Sequence, residues 1–198
     1  QRGFHRIASI KPLQAIPGGM RFLCESGQLD IYYFAKGVIR FAMKSGDVVD
    51  YGLVTAEPQE IACNFETFDR GLILSSGNVS LELILAPFSF KLKRSGNLVL
   101  ESITDCSMEG PTRFHAFAYN PKPAWQVSLA LKSGEPVYGL GEKFGRLDHR
   151  GELITNWNSD ALGVNAERSY KNSPFAWSPE GWGLFINTPS RVTHAVGY

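Results

Sequence analysis

The sequence predicts an all-β protein, an antiparallel β-sandwich with little helix, and three observations carry that expectation. Short runs of β-branched, aromatic and leucine residues alternate with polar ones and recur from end to end. Clusters of Gly, Asn, Asp and Ser punctuate them at roughly the eight-to-twelve-residue spacing of such folds. Hydrophobic periodicity of helix length is nearly absent.

The elements follow in order. Leu29 to Phe34 alternates around Ile31 and Tyr33, and Lys36-Gly37 turns the chain into Val38 to Met43, closed by Ser45-Gly46-Asp47. This reads as a hairpin whose second strand places Val38, Arg40 and Ala42 on one face and Ile39, Phe41 and Met43 on the other. Glu60 to Asn64 and Gly71 to Ser75 are further strand candidates. Val79 to Leu85 is a clear strand; Pro87, with no N–H to offer a ladder, interrupts it before Phe88 to Leu92 resumes the alternation. Ser95-Gly96-Asn97 turns into Leu98 to Leu100, and Arg113 to Tyr119 and Gln126 to Leu131 are the next candidates. The first 28 residues show no clear pattern.

After Ser133-Gly134-Glu135-Pro136 the composition shifts. From Val137 the chain is dense in Gly, Trp, Asn and Asp, with few long apolar runs before Trp182 to Ile186. Such a stretch is loop-rich, and loops held on a rigid sheet are where binding residues gather. No internal repeat interrupts the reading of residues 1–198 as one β-sandwich domain.

Composition narrows the function classes. With 43% hydrophobic and 20% charged residues the 198-residue chain can bury a substantial core. Twenty basic against nineteen acidic side chains leave a formal charge of +1, so no strong field favours a nucleic acid. No run of 18 apolar residues argues for a membrane span. Cys24, Cys63 and Cys106 lie far apart, without CxxC spacing or a histidine at metal-ligand spacing, so neither a metal nor another cofactor is expected. An odd cysteine count favours a reducing, cytoplasmic setting. The chain opens on Gln1 rather than Met, which implies processing or excision and leaves room for a removed leader.

The strongest local signal is Tyr138-Gly139-Leu140-Gly141-Glu142-Lys143-Phe144-Gly145. Its glycines are spaced G-x-G-x-x-x-G, one residue too long for a dinucleotide fingerprint, and no amphipathic helix follows. Tight turns and positive φ are the simpler use for them. The motif is followed in order by Leu147-Asp148-His149-Arg150-Gly151, Trp157-Asn158-Ser159-Asp160-Ala161, Tyr170 to Phe175 and Gly181 to Phe185. Together these pieces resemble the amino-terminal domain of glycoside hydrolase family 31, with Gly37 to Arg40 and Ala86 to Phe88 matching earlier strands, so the resemblance spans Leu29 to Tyr198.

The resemblance implies a supersandwich similar to galactose mutarotase, packed beside the enzyme's own TIM barrel, and an α-glucoside or α-xyloside as carbohydrate substrate. Two barrel aspartates would carry out retaining hydrolysis, one as nucleophile and one as acid and base. Neither falls within this chain, so no catalytic residue is assigned here. The family's Trp-Asn-x-Asp aspartate binds the non-reducing-end sugar, and that role carries over to Asp160. A carboxylate accepting from two adjacent hydroxyls makes charge-assisted hydrogen bonds; a turn-capping Asp is the competing reading. Trp157 could present a ring to the sugar or anchor the loop to the core. Asn158 could hold the turn or touch a hydroxyl.

Other residues read as framework. Arg150 and Glu142 suit a hydrogen-bonded scaffold beneath the loop, and Phe175, Trp182 and Phe185 suit core packing. A mutarotase-like pair from His115 or His194 with Glu82 or Glu101 finds no support in their spacing, and no nucleophile elbow is present. The rival function is a stand-alone carbohydrate-binding or scaffolding module with a row of exposed aromatics on one sheet face; Tyr32, Tyr33 and Phe34 are too few and too consecutive to form one. The terminal strand Arg191 to Val196 reads as lacking a neighbour, which predicts self-association through a bare edge.

Overall fold

The computed structural model describes residues 3–44, 51–103, 115–120, 124–161 and 168–197. Cys106, the Ser45-Gly46-Asp47 turn and the start of the Arg113 run lie outside them. No described residue is helical, and every pair of named strands is antiparallel. The contacts gather into two compact units, one of Gln1–Val48 and Ala56–Ala130, the other of Val49–Thr55 and Leu131–Tyr198.

The larger unit contains β1 (His5–Arg6), β2 (Lys11–Ile16), β3 (Gly19–Cys24), β4 (Gly27–Ala35), β5 (Val38–Lys44), β6 (Asn64–Phe68), β7 (Gly71–Ser76), β8 (Val79–Leu85), β9 (Phe88–Arg94), β10 (Asn97–Glu101), β11 (Phe117–Asn120) and β12 (Ala124–Val127). They form the sheets β2-β3-β4-β5, β10-β9-β8-β7-β6 and β1-β11-β12. Period-two patterning decides which side chains enter the core. Phe22, Leu29, Ile31 and Tyr33 from the first sheet join Leu72, Leu74, Val79, Leu81, Leu83, Phe88 and Phe90 from the second in one buried cluster. That is a sandwich core. The buried Tyr33 hydroxyl crosses it to donate to Val79 O at 2.8 Å, with Leu74 O at 3.2 Å.

Turn chemistry fixes the registers. Ser95 and Gly96 both take positive φ, 50° and 81°, and join β9 to β10 with Arg94 opposite Asn97. On β5, Ile39, Phe41 and Met43 pack on the core while Val38 is exposed, the face assignment that the alternation predicts. Gly19 and Gly71 sit where strands approach closely: a Cβ would run into Ile31 O at the first and Leu83 O at the second.

Three sequence expectations are corrected. The strand expected over Glu60 to Asn64 is β6 at Asn64–Phe68, because the turn after Phe68 pairs that residue with Gly71 and the ladder reaches back only to Asn64. The run Gln126 to Leu131 divides between partners. Residues to Val127 pair with β11, whereas Leu129 bridges Ser102 and Ala130 N donates to Glu101 O at 2.9 Å. Within the first 28 residues lie β1, β2 and β3; β2 is an edge strand with mostly exposed side chains and Pro12, so it carries no alternation to detect.

The smaller unit has β13 (Tyr138–Gly141), β14 (Glu152–Asn156), β15 (Asn172–Ser178), β16 (Trp182–Phe185) and β17 (Val192–Val196). These form the sheets β13-β15-β16 and β14-β17. Its core is small: Val137, Leu140, Ile154, Ala176 and Val196, with Leu131 and Trp182 packed against them.

Candidate functional site

The Gly139-Leu140-Gly141 segment explains its own sequence. All three residues take positive φ, 103°, 64° and 83°, and the register with β15 shifts across them. The resulting bulge turns the Leu140 side chain into the core, where it is fully buried, and leaves Leu140 O to accept from Asn156 Nδ2 at 2.9 Å. A Cβ at Gly139 would meet Phe175 O, and one at Gly141 would meet Lys171 O and Ser173 N. These glycines serve backbone geometry.

Below this bulge, polar side chains brace the turn from Glu135 to Glu152. Asp148 Oδ1 accepts from Val137 N at 3.1 Å and Arg150 N at 3.0 Å. Those two amide bonds, Arg150 first, hold its carboxyl below the usual range. His149 is buried, with Nδ1 2.9 Å from Glu152 Oε2 and Nε2 3.1 Å from Gly139 O. Arg150 donates to Lys132 O and Glu135 O, each at 3.0 Å, so it is framework. Glu142 meets Lys171 at 3.6 Å, but both are well exposed and the pair contributes little. Glu135 accepts from Trp182 Nε1 at 2.6 Å and Lys132 N at 3.0 Å. Burial pushes its carboxyl up, yet the bonds from Ser178, Lys132 and Trp182 outweigh burial and hold it low.

The three residues expected to meet substrate, Trp157, Asn158 and Asp160, lie within four positions just beyond β14. Asn158 Oδ1 accepts from Asn172 N at 2.9 Å and Asn172 Nδ2 at 3.0 Å, and Asn158 forms an isolated parallel bridge with Ser169. Its amide oxygen is thus spent on holding the chain. Ser159 N donates to Ser169 O at 3.1 Å, and the Tyr170 hydroxyl donates to Ala161 O at 3.2 Å. Asp160 sits between these ties. Its side chain is exposed, and no described residue donates to its carboxylate. Trp157 is half exposed rather than sunk in a core, and the Arg191 guanidinium stands 5.3 Å from its ring centre.

Two residues of this arrangement were not singled out by sequence for it. Lys143 Nζ donates to Thr155 O at 2.9 Å and to Asn172 Oδ1, and Asn172 Nδ2 also donates to Ser169 O at 3.0 Å. Their only sequence signal is position: Lys143 falls inside the glycine motif, and Asn172 inside the Tyr170 to Phe175 motif.

Core packing is corrected for Phe175 and Phe185. They face each other across β15 and β16 and are 42% and 43% exposed. Ala176 takes the buried face of β15, which by alternation sends Phe175 and Trp177 outward. The Trp177 ring lies 5.0 Å from that of Tyr138, so four aromatic residues share this outer face. Among the described residues no group of three His, Cys, Asp or Glu could hold a metal ion.

Comparison with known proteins agrees with these motifs. Residues 28–194 match the family described as the glycosyl hydrolase 31 N-terminal galactose mutarotase-like domain. The chain is 31% identical over 134 residues to α-xylosidase XylQ of Lactiplantibacillus pentosus, covering 67% of this chain and 17% of the relative. It is 25% identical over 181 residues to α-glucosidase 2 of Bacillus thermoamyloliquefaciens, covering 87% and 22%. Among solved structures, a GH31 dextranase of Flavobacterium johnsoniae complexed with glucose superposes with a TM-score of 0.76 at 19% identity, covering 98% of this chain and 24% of that one. A GH31 α-xylosidase from a soil metagenome complexed with xylose gives 0.69 at 18%, covering 92% and 29%. At these identities the structural likeness is one of fold. The chain spans about a fifth of the length of the curated relatives, from 17% to 22%. The match over residues 28–194, which takes in the glycine bulge and the braced loop after it, shows that this chain belongs to the glycosyl hydrolase 31 N-terminal galactose mutarotase-like domain family.

Proposed function

We propose that the chain is the amino-terminal domain of a retaining α-glycosidase acting on α-glucosides or α-xylosides, and that it supplies one wall of the sugar site through Asp160. The observation that carries this reading is the state of Asp160: an exposed carboxylate without a described donor, on chain tied down on both sides. A free acceptor on a fixed backbone suits two adjacent sugar hydroxyls, because little ordering entropy is left to lose on binding. The α-xylosidase and α-glucosidase relatives support the substrate class.

In this reading the carboxylates of the double displacement belong to the barrel domain of the same polypeptide. Asp160 transfers no proton; it holds the sugar. A reducing, cytoplasmic setting is part of the proposal and rests on the unpaired thiols Cys24 and Cys63. In the full-length enzyme, Asp160→Ala is expected to lower kcat/KM by roughly ten- to a hundredfold, the worth of one or two hydrogen bonds to a charged group. An unchanged kcat/KM overturns the assignment.

A second reading is favoured by the outer face bearing Tyr138, Phe175, Trp177 and Phe185, since such a face could bind carbohydrate on its own. Calorimetric titration of the 198-residue chain with malto- and xylo-oligosaccharides separates the two. Micromolar binding supports a module; absence of heat supports an incomplete pocket wall.

A further inference from the structure

We infer that Asn172 is a positioning residue for Asp160, acting through Asn158 and itself held in orientation by Lys143. The inference rests on the reading that Asp160 contacts substrate, and it concerns how the loop is aimed. Asn172 stands where β15 begins, at the return of the loop, and its side chain touches both limbs. Nδ2 donates to Asn158 Oδ1 on the outgoing limb and to Ser169 O on the returning one, each at 3.0 Å. Lys143, from within the glycine motif, donates to its Oδ1.

Chemistry fixes which way this amide points. An ammonium only donates and a backbone carbonyl only accepts, so Oδ1 must face Lys143 and Nδ2 must face Ser169. The Asn158 amide is oriented by the same logic, because two N–H groups converge on its oxygen. Asp160 follows two residues later, and among the described residues no side-chain bond of its own aims it. Its direction is inherited from the backbone held on either side of it, and Asn158 is the side-chain anchor of the outgoing limb.

The same geometry shows that the Asn172 side chain can be removed without stranding its neighbours. Lys143 keeps Thr155 O, Ser169 O keeps Ser159 N, and Asn158 Oδ1 keeps Asn172 N. The loss is one of orientation, and displacement of a binding group by about 1 Å can cost about a hundredfold in rate.

The test is a double-mutant cycle in the full-length enzyme, with thermal unfolding measured in parallel. Asn172→Ala alone is expected to lower kcat/KM about tenfold or more, and in an Asp160→Ala background less than twofold. Equal losses in both backgrounds overturn the proposal, as does no loss in either. If Asp160→Ala alone is silent, the substrate-contact reading fails and the positioning role falls with it. Lys143→Met serves as a second variant, expected to show the same coupling in weaker form. Amide exchange in the 198-residue chain reads the positioning apart from activity: Asn172→Ala should speed exchange at Ser159 N–H about tenfold while Leu83 in β8 stays unchanged. An unchanged Ser159, or equal acceleration at both, counts against a local orienting role.

Discussion

At the scale of single residues, the most instructive group outside the site is His194. It lies on the inner face of β17 opposite Ile154, its Nε2 is buried, and among the described residues no hydrogen-bond partner reaches it. Burial, reinforced by the charges of Lys143 and His149, pulls its pKa down to about 4 from an ordinary 6.5. A depressed histidine pKa favours the fold while the ring is neutral. Its contribution is therefore complete above pH 6.5 and is lost progressively as pH falls toward 4, a linkage of about 3 kcal/mol at most. Thermal unfolding of the chain between pH 7 and pH 4 should show this slope, and His194→Gln should flatten it. Parallel curves for the two proteins would refute the assignment. Asp148 and Glu135 act lower, since their depressed carboxyl pKa values remove stability only below their ordinary range.

At the scale of elements, the bulge in β13 links sequence to site most directly. Gly141 takes a φ of 83° with Lys171 O and Ser173 N where a side chain would go, so both backbone strain and collision oppose any other residue. Gly141→Ala is expected to destabilise the chain by about 2 kcal/mol or more, read as a lower denaturant midpoint. A change of less than about 0.5 kcal/mol, the size typical of neutral surface positions, would show that the bulge relaxes instead. This strain has a structural use. The bulge brings Leu140 O to Asn156 and carries the chain toward Lys143, and from there to Asn172 and the Asp160 loop.

Across the whole molecule, the core residues of the larger unit were legible from alternation, and the outer aromatic face of the smaller one was not. Phe175, Trp177 and Phe185 meet solvent on one sheet, and among the described residues β17 pairs only with β14. Exposed apolar faces and unpaired strand edges both favour association. The 198-residue chain is therefore expected to self-associate at high concentration, and replacing Phe175 and Phe185 with Ser should reduce the effect in light scattering. A monodisperse monomer at high concentration would set this expectation aside.

Local pattern was enough for the β class, the hairpin faces around Tyr33 and Ile39, the turn at Ser95-Gly96 and the family motifs, because period-two burial and positive-φ turns are local and each residue reports its own environment. It also placed Asp160, Asn158 and Trp157 together in one loop. It took the folded chain to show that Asn158 is held by Asn172, that Lys143 donates to that amide, and that Phe175 and Phe185 point outward. Those facts depend on which strand lies beside which. Asn158 and Asn172 are fourteen residues apart, and no local pattern records that an amide on one will meet an amide on the other.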